Sequence, residues 1–223
     1  MFERTPLRQH VQKEILARIA DCRLSGGTRI NESHLSADLG ISRTPLREAM
    51  LGLEAVGFLE SDMGRGFLVP LICREDFSQG QAILGKMAPY ALSLALPLAA
   101  GQIMELNNLL GRSRLQVSET GKNRSKALAD LIFRWSTLCT HGCPNKMLVA
   151  DVTRLKALAK RYWYEASKCG FDPTAMVASY TQLYEMLRAK QPQAATEHWE
   201  EHISRYATEA ARHLPKKSQL SKL

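Results

Sequence analysis

Long apolar runs, paired cysteines and internal repeats are all missing from this sequence of 223 residues. Its most apolar stretch, residues 87–101, contains two prolines and is shorter than the roughly 20 residues that a membrane-spanning helix needs. Residues 1–14 are charged from the third position onward and contain no apolar core of a secretory signal. We therefore expect a cytoplasmic protein without a membrane span.

The cysteine content argues against a disulfide framework. Five cysteines are an odd number in a chain of this size and predict reduced thiols. Two of them flank His141 in the segment CTHGC, which resembles part of a zinc site. A closed zinc site needs four ligands, and no second Cys/His pair lies nearby in sequence. We expect Cys139 and Cys143 to pack at a helix end instead.

The positive charge is distributed unevenly. The chain has 30 lysines and arginines against 22 acidic residues, a formal net charge of +8. Residues 1–75 contain ten of each sign, so the excess lies entirely in residues 76–223. Nucleic-acid binding by the first 75 residues would therefore depend on where individual arginines point rather than on bulk charge.

The N-terminal part has the pattern of three helices followed by two strands. A helix over 6–22, an extended piece at 28–31 and a short helix over 32–39 precede a tight turn. Strands at Phe58–Glu60 and Phe67–Pro70 are joined by a turn at 62–66. Two short helices joined by a tight turn and followed by a β-hairpin are typical of a winged helix-turn-helix.

The third helix lies between the tight turn and the hairpin. Thr44 can cap it, with Pro45 in its first turn, and Gly57 can end it. The apolar spacing predicts a buried face of Leu46, Ala49, Met50, Leu53 and Val56.

Arg43 and Arg47 share a stripe on the other side of this helix. A guanidinium at the start of a major-groove helix can bind guanine O6 and N7 together. Thr44 and the free N–H groups of the helix start suit a phosphate. Each arginine alone could be a solvated surface charge, but their joint placement favours contact with DNA.

The predicted hairpin has Arg65 at its tip, between Gly64 and Gly66. Small neighbours allow this tip to approach a DNA groove closely, where the arginine can enter the minor groove or hold the backbone.

The segment INESHLSADLGISRTPLREAMLGLEAVGFLESDMGRGFLV resembles the winged-helix domain of GntR-type bacterial transcription regulators. The resemblance covers about residues 8–70, and its most specific features are SRTPLREA and the following L-x-x-x-G-F/L and RG-x-x-V patterns. Some members of that family carry an arginine where this chain has Ser33. The resemblance implies DNA contacts from Arg43, Thr44, Arg47, Gly64, Arg65 and Gly66.

After Pro70 the pattern becomes wholly helical. Helix signals predict six long segments, over 76–99, 101–118, 126–141, 146–168, 173–190 and 193–213. Asp76 with Gln79 forms a capping box for the first of them, and Asn145 opens the fourth. The fold class is therefore mostly α, an N-terminal winged helix-turn-helix with a small β-hairpin wing and a C-terminal all-α bundle.

The predicted domain boundaries follow from these patterns. Residues 1–70 form the DNA-binding domain, 71–75 a linker, and 76–215 a helical domain that binds an effector and dimerises. The basic tail, residues 216–223, is expected to be disordered.

The helical part resembles the FCD domain of the FadR subfamily. The segment DLIFRWSTLCTHGCPNKML is similar to its D-x-x-F-H pattern, and YTQLYEMLRAKQPQAATEHWEEHI to its H-x-x-I…A…H pattern. In most members, one Asp and three His at these places hold a divalent metal that receives a carboxylate effector. Here those positions are Asp130, Arg134, Tyr180 and His202. Arginine cannot serve as a ligand and a phenol is a poor one, so we expect no metal or other cofactor.

A metal-free effector site is the resulting hypothesis. Arg134 would grip the carboxylate of a small or fatty-type organic acid, Tyr180 would add a hydrogen bond, and Lys86 a positive charge. Asp130 and His202 complete this predicted site. A structural alternative is that Asp130 simply pairs with Arg134 at i,i+4, while Tyr180 and His202 are core residues.

Together these features predict a ligand-responsive transcription regulator, by default a repressor, that binds double-stranded DNA as a homodimer. The operator would be a palindrome whose half-sites lie about one DNA turn, roughly 34 Å, apart. Two alternatives remain open. One is an enzyme with Asp130 and His202 as an acid–base pair, although no nucleophile, phosphate loop or cofactor motif accompanies them. The other is a structural DNA-binding protein with a vestigial pocket.

Overall fold

The computed structural model describes residues 4–62, 64–117 and 122–220. The chain divides into two compact units, Met1–Ile72 and Cys73–Leu223. No helix in the described ranges is both long and apolar enough to cross a membrane. In chain order the elements are α1 (Arg4–Ala20), α2 (Glu32–Asp38), α3 (Arg43–Glu54), β1 (Glu60–Asp62), β2 (Gly66–Leu68), α4 (Arg74–Ala95), α5 (Ala100–Val117), α6 (Lys122–Thr140), α7 (Lys146–Lys168), α8 (Thr174–Arg188), α9 (Pro192–Ala211) and α10 (Lys217–Leu220).

The core of the first unit forms where α1 packs against α3. The predicted inner face of α3 is buried at four of its five positions. Val56 is the exception and is 37% exposed, because α3 ends at Glu54 and the chain turns through Gly57 at a φ of +84°. The buried side chains of the two helices are Val11, Ile15, Ile19, Leu46, Ala49, Met50 and Leu53.

The start of α3 differs from the sequence prediction by two residues. Ser42, not Thr44, is the N-cap residue, and its side chain makes no capping hydrogen bond. Thr44 therefore lies within the first turn and is exposed. By contrast, Asn31 caps α2 by accepting a hydrogen bond from the backbone N–H of His34.

The wing is a two-stranded antiparallel sheet in which Glu60 pairs with Leu68 and Asp62 with Gly66. Both strands begin at different residues from those predicted, at Glu60 and Gly66 instead of Phe58 and Phe67. Arg29 adds an isolated bridge to Leu68, which bears out the predicted extended piece before α2. The wing is thereby tied to the segment that enters α2.

The second unit is a helical bundle in which α4 packs most extensively against α9, and α6 against α7. Asn145 caps α7 by accepting from the N–H of Leu148, as predicted. The capping box proposed for Asp76 and Gln79 is wrong. Helix α4 begins earlier, at Arg74, with Cys73 as its N-cap residue.

The described part of the predicted basic tail, residues 216–223, has regular structure. Residues Lys217–Leu220 form a short helix, and the Lys217 backbone N–H donates to Glu75 Oε2 at 2.9 Å. Arg74 donates to the carbonyl oxygens of Ala211 and Arg212 at 2.7 and 3.0 Å. The C-terminal segment is therefore anchored to the first turn of α4. Residues 221–223 lie outside the described ranges.

Candidate functional site

The two arginines at the start of α3, Arg43 and Arg47, are exposed, whereas Leu46 between them is buried. Arg43 Nη2 donates a 2.7 Å hydrogen bond to Ser33 Oγ. Arg47 has a 60% exposed side chain, and its Nε lies 3.7 Å from Glu32 Oε2. Both guanidinium groups retain unused donors, because an arginine has five N–H groups.

The wing tip presents Arg65 between two glycines with left-handed backbone conformations. Gly64 has a φ of +71° and Gly66 of +95°, values that residues with a Cβ rarely adopt. Arg65 is exposed. The first unit thus carries three outward arginines on two adjacent elements, a charge placement suited to a groove and backbone of duplex DNA.

A cavity of about 40 Å³ lies among α4, α6, α7, α8 and α9. Its lining is mainly apolar and aromatic, which is typical of small-molecule sites. The rings that line it are Phe133, Trp163, Tyr180, Trp199, His202 and Tyr206.

Within the part of the chain that the structure describes, three buried polar atoms on the cavity lining have no hydrogen-bond partner. They are Gln81 Nε2, Ser136 Oγ and Trp199 Nε1. Leaving a buried polar group unpaired costs about 1–3 kcal/mol. Two of these atoms can only donate and the hydroxyl can do so, so a ligand that offers acceptor oxygens would satisfy all three.

Lys156 is the most unusual group on this lining. It is 4% exposed, and its Nζ donates to Thr137 Oγ1 at 3.2 Å and Thr140 Oγ1 at 3.5 Å. It also lies 5.5 Å from the centre of the Phe133 ring. Burial lowers the pKa of Lys156 to about 8. No carboxylate forms an ion pair with it in the described part of the chain, so its charge at neutral pH lacks a counter-ion.

The second lysine on the lining is already neutralised. Lys160 Nζ forms an ion pair with Asp130. The i,i+4 pair that the sequence offered as an alternative, Asp130 with Arg134, is therefore replaced by a pair between α6 and α7.

Tyr180 and His202 are both part of the core and of the cavity wall. Burial raises the pKa of the Tyr180 phenol well above its usual value. Burial also lowers the pKa of His202 to about 3, so the imidazole is neutral under ordinary conditions. His202 Nδ1 lies 2.9 Å from Ser179 Oγ, which in turn lies 2.9 Å from His198 Nε2. This small network fixes the ring on the cavity wall.

Arg134 and Lys86 do not lie where the sequence hypothesis requires. Arg134 is exposed and borders an open hollow between α5 and α6 with Arg112. Lys86 has a 78% exposed side chain and pairs with Glu200 on the outside of α4 and α9. Neither residue lines the aromatic cavity. The proposed anchoring of an acid by Arg134 in this cavity is therefore corrected.

The metal site of the FadR subfamily has no suitable donor set here. Asp130 is paired with Lys160, Arg134 lies outside the cavity, and the buried Tyr180 phenol does not ionise near neutral pH. Within the described ranges, no three His, Cys, Asp or Glu side chains are grouped so as to hold a metal ion. The residues present do not fit the metal.

Sequence reasoning missed Lys156, although a signal was present. In α7, Val152, Lys156, Ala159, Trp163 and Ala166 recur at intervals of four and three residues. This spacing defines one helix face. A lysine in an otherwise apolar face indicates either a buried pair or a ligand contact. Gln81 occupies the same kind of position in α4, between Phe77 and Leu84.

Family models match both units of the chain. The model of bacterial regulatory proteins of the gntR family matches residues 7–69, and that of the FCD domain matches residues 83–205. The chain belongs to the gntR family and carries an FCD domain.

This gntR-family chain is similar to proteins described as transcriptional repressors. It is 30% identical to the "Probable D-xylose utilization operon transcriptional repressor" of Paenarthrobacter nicotinovorans, over 60% of this chain and 59% of that protein. The chain thus spans about three fifths of that relative's length. It is 22% identical to the "HTH-type transcriptional repressor RspR" of Escherichia coli K12, over 89% of this chain and 86% of that protein.

Solved structures share the gntR–FCD fold. E. coli McbR/YncC superposes with a TM-score of 0.77 at 20% identity, over 92% of this chain and 97% of that one. A GntR regulator from Rhodococcus sp. RHA1 superposes with a TM-score of 0.76 at 14% identity, over 91% and 96%. At these identities the likeness concerns the fold.

Proposed function

We propose that this protein is a transcription regulator, by default a repressor, whose affinity for operator DNA is changed by a small organic acid. The observation that supports DNA binding is the pair of exposed arginines, Arg43 and Arg47, at the start of α3. With the apolar face of α3 docked on α1, the unused N–H donors of these exposed guanidinium groups can reach guanine edges in the major groove. Arg65, with Gly64 and Gly66, would hold the adjacent backbone or minor groove, and Thr44 a phosphate.

A homodimer is part of this proposal. Helix α4 has an apolar stripe of Ile83, Met87, Tyr90 and Leu94 on its outer side, at intervals of four, three and four residues. Ile83 and Tyr90 are 53% and 57% exposed. Helices with such a seam pack against an identical seam in many dimers. A two-fold dimer would present two copies of α3 to a palindromic operator.

The proposed ligand is an organic acid held in the aromatic cavity. Its carboxylate would supply the counter-charge that Lys156 lacks, and the unpaired donors of Gln81, Ser136 and Trp199 would bind its oxygens. The aromatic walls would cover the apolar body. This assignment moves the anchor from Arg134 to Lys156 and requires no metal.

Ligand binding would act on DNA affinity by population shift. An acid that binds one arrangement of the dimer more tightly than another changes the fraction of molecules able to bind the operator. The ligand can shift the equilibrium between the two arrangements by no more than the difference in its binding free energy for them.

One experiment distinguishes Lys156 from Arg134 as the residue that binds the carboxylate. Thermal-shift screening of aliphatic and aromatic carboxylates is carried out on wild type, Lys156→Met and Arg134→Met, each variant losing one cation. We expect acids that stabilise wild type to stabilise Arg134→Met equally and to leave Lys156→Met unchanged. Equal stabilisation of all three proteins would refute the assignment of Lys156.

The two alternatives predict different results. A structural DNA-binding protein with a vestigial pocket would show no saturable heat with any acid in calorimetry. The enzyme alternative is weakened by the site itself, since His202 cannot be protonated near neutral pH and Asp130 is paired with Lys160.

A further inference from the structure

The first turn of α2 contacts both arginines of the recognition helix. Ser33 Oγ accepts from Arg43 Nη2 at 2.7 Å, and the next residue back, Glu32, has Oε2 3.7 Å from Arg47 Nε. Arg43 and Arg47 are one helical turn apart on α3. Two consecutive residues of α2 therefore reach two successive positions of the DNA-facing stripe.

This turn of α2 is itself held firmly. Asn31 caps the helix with its side chain, and the backbone N–H of Ile30 donates to the Phe67 carbonyl of the wing at 2.9 Å. A Cβ placed on Gly66 would lie 3.4 Å from Glu32 Oε1. The same short segment thus touches the wing on one side and the arginines of α3 on the other.

We propose that Ser33 and Glu32 are positioning residues that set the base preference of the protein by orienting Arg43 and Arg47, without contacting DNA themselves. The proposal rests on the proposed contact of those two arginines with bases. Ser33 is the stronger of the two, because its hydrogen bond with Arg43 is 2.7 Å long, whereas Glu32 lies 3.7 Å from Arg47.

The physical benefit is preorganisation. A free arginine loses up to about 2 kcal/mol of rotamer entropy when its side chain is fixed. A side chain already held by Ser33 loses less of that entropy when it meets a base. One of the five guanidinium N–H groups is used by Ser33, which leaves four, and a bidentate contact with guanine needs two. Ser33 can therefore keep its bond while Arg43 reads a base.

A competing use of Ser33 is a direct bond to a phosphate. The two uses differ in sequence dependence, because every duplex offers the same phosphates whereas the base edges differ. If Ser33 positions Arg43, its loss should lower affinity only for the preferred sequence. If Ser33 contacts the DNA backbone, its loss should lower affinity for every duplex.

The experiment uses the full chain and duplex DNA selected by the wild-type protein from a random-sequence library. Dissociation constants are measured at four salt concentrations for the selected duplex, its single-base variants and an unrelated duplex. The proteins are wild type, Ser33→Ala, Ser33→Thr, Glu32→Gln and, as a control serine of the other unit, Ser78→Ala. Thermal melting checks that each protein is folded.

For Ser33→Ala we expect affinity for the selected duplex to fall about three- to tenfold and discrimination at one base position to relax. Affinity for the unrelated duplex, the salt slope and the melting temperature should stay unchanged, and Ser33→Thr should restore the preference. We expect a smaller loss for Glu32→Gln, because its ion pair is long and partly exposed.

Two results would overturn the proposal. One is unchanged discrimination in Ser33→Ala. The other is an equal loss of affinity on both duplexes, which would make Ser33 a phosphate contact. If Arg43→Ala keeps full affinity for the selected duplex, the proposed contact of Arg43 with DNA is refuted. That result would contradict the proposed function rather than the positioning role of Ser33.

Discussion

Tyr180 lies parallel to Trp135, with ring centroids 4.4 Å apart and 5° between the ring planes. Both side chains are almost fully buried, at 1% and 0% exposure. The stack joins α8 to α6, so Tyr180 holds two helices together at the cavity wall. Its hydroxyl adds no negative charge there, because burial keeps the pKa of the phenol well above its usual value.

Truncation of this ring should be costly, and loss of its hydroxyl should not. We expect Tyr180→Ala to lower the free energy of unfolding by about 3–5 kcal/mol, because a large cavity is left in the core. Tyr180→Phe should change it by less than about 1.5 kcal/mol. Urea unfolding followed by fluorescence measures both. A similar loss in the two variants would show that the hydroxyl, not the ring, stabilises this site.

Replacement of Lys156 should improve stability while removing ligand binding. No carboxylate among the described residues pairs with the buried ammonium, and its pKa of about 8 lies below that of a free lysine. We expect Lys156→Met to be more stable at pH 7, by up to about 3 kcal/mol. The wild type should approach the variant as pH rises above 8, since its lysine then loses the unfavourable charge. A Lys156→Met protein less stable than wild type at pH 7 would contradict this account.

Acid should destabilise the helical unit through His202. Its folded pKa of about 3 lies below the usual 6.5, so below pH 6.5 the unfolded chain binds a proton that the folded chain does not. Stability is therefore complete above pH 6.5 and falls as pH decreases, by up to about 1.4 kcal/mol per pH unit.

Comparing the unfolding free energies of wild type and His202→Asn over pH 5–7 isolates the effect of His202. In this range, carboxylates with lowered pKa values contribute little to the pH dependence of stability. We expect the difference in unfolding free energy between the two proteins to shrink by about 2 kcal/mol from pH 6.5 to 5. A difference that does not vary with pH would show that His202 is not held neutral.

The outer stripe of α4 should govern oligomeric state. A charge placed in an apolar dimer seam costs several kcal/mol, so Ile83→Asp or Tyr90→Asp should convert the dimer into monomers. Ser78→Asp, on another exposed side of α4, serves as the control and should stay dimeric. Sedimentation velocity distinguishes the species. A dimer that survives both seam variants would place the interface elsewhere.

Capping residues in the sequence predicted a helix end correctly where a single residue determines that end. Asn145 capped α7 as expected, since an Asn before an apolar-periodic segment has few competing uses. Asp76 and Gln79 gave an equally good local signal but lie inside α4. There the helix is extended backwards by the bonds of Arg74 to the carbonyls that end α9, a contact between residues far apart in sequence.

The cavity was harder to predict because helix rotation decides which side chains line it. Arg134 and Phe133 are neighbours in sequence, yet Phe133 lines the aromatic cavity and Arg134 is exposed to the outside. A resemblance in sequence marks positions but does not fix that rotation. Lys156 was identifiable from its apolar helix face, whereas its lack of a counter-ion depends on the packing of α6 against α7.

The most direct test of the account is the DNA affinity of the Arg43→Ala, Arg47→Ala double variant. Its control is the Arg188→Ala, Arg205→Ala double variant, which removes the same charge from exposed sites of the helical unit. On the selected duplex at fixed salt, we expect at least a hundredfold loss for the first protein and little change for the second. Equal affinity of the first protein and wild type would contradict the account.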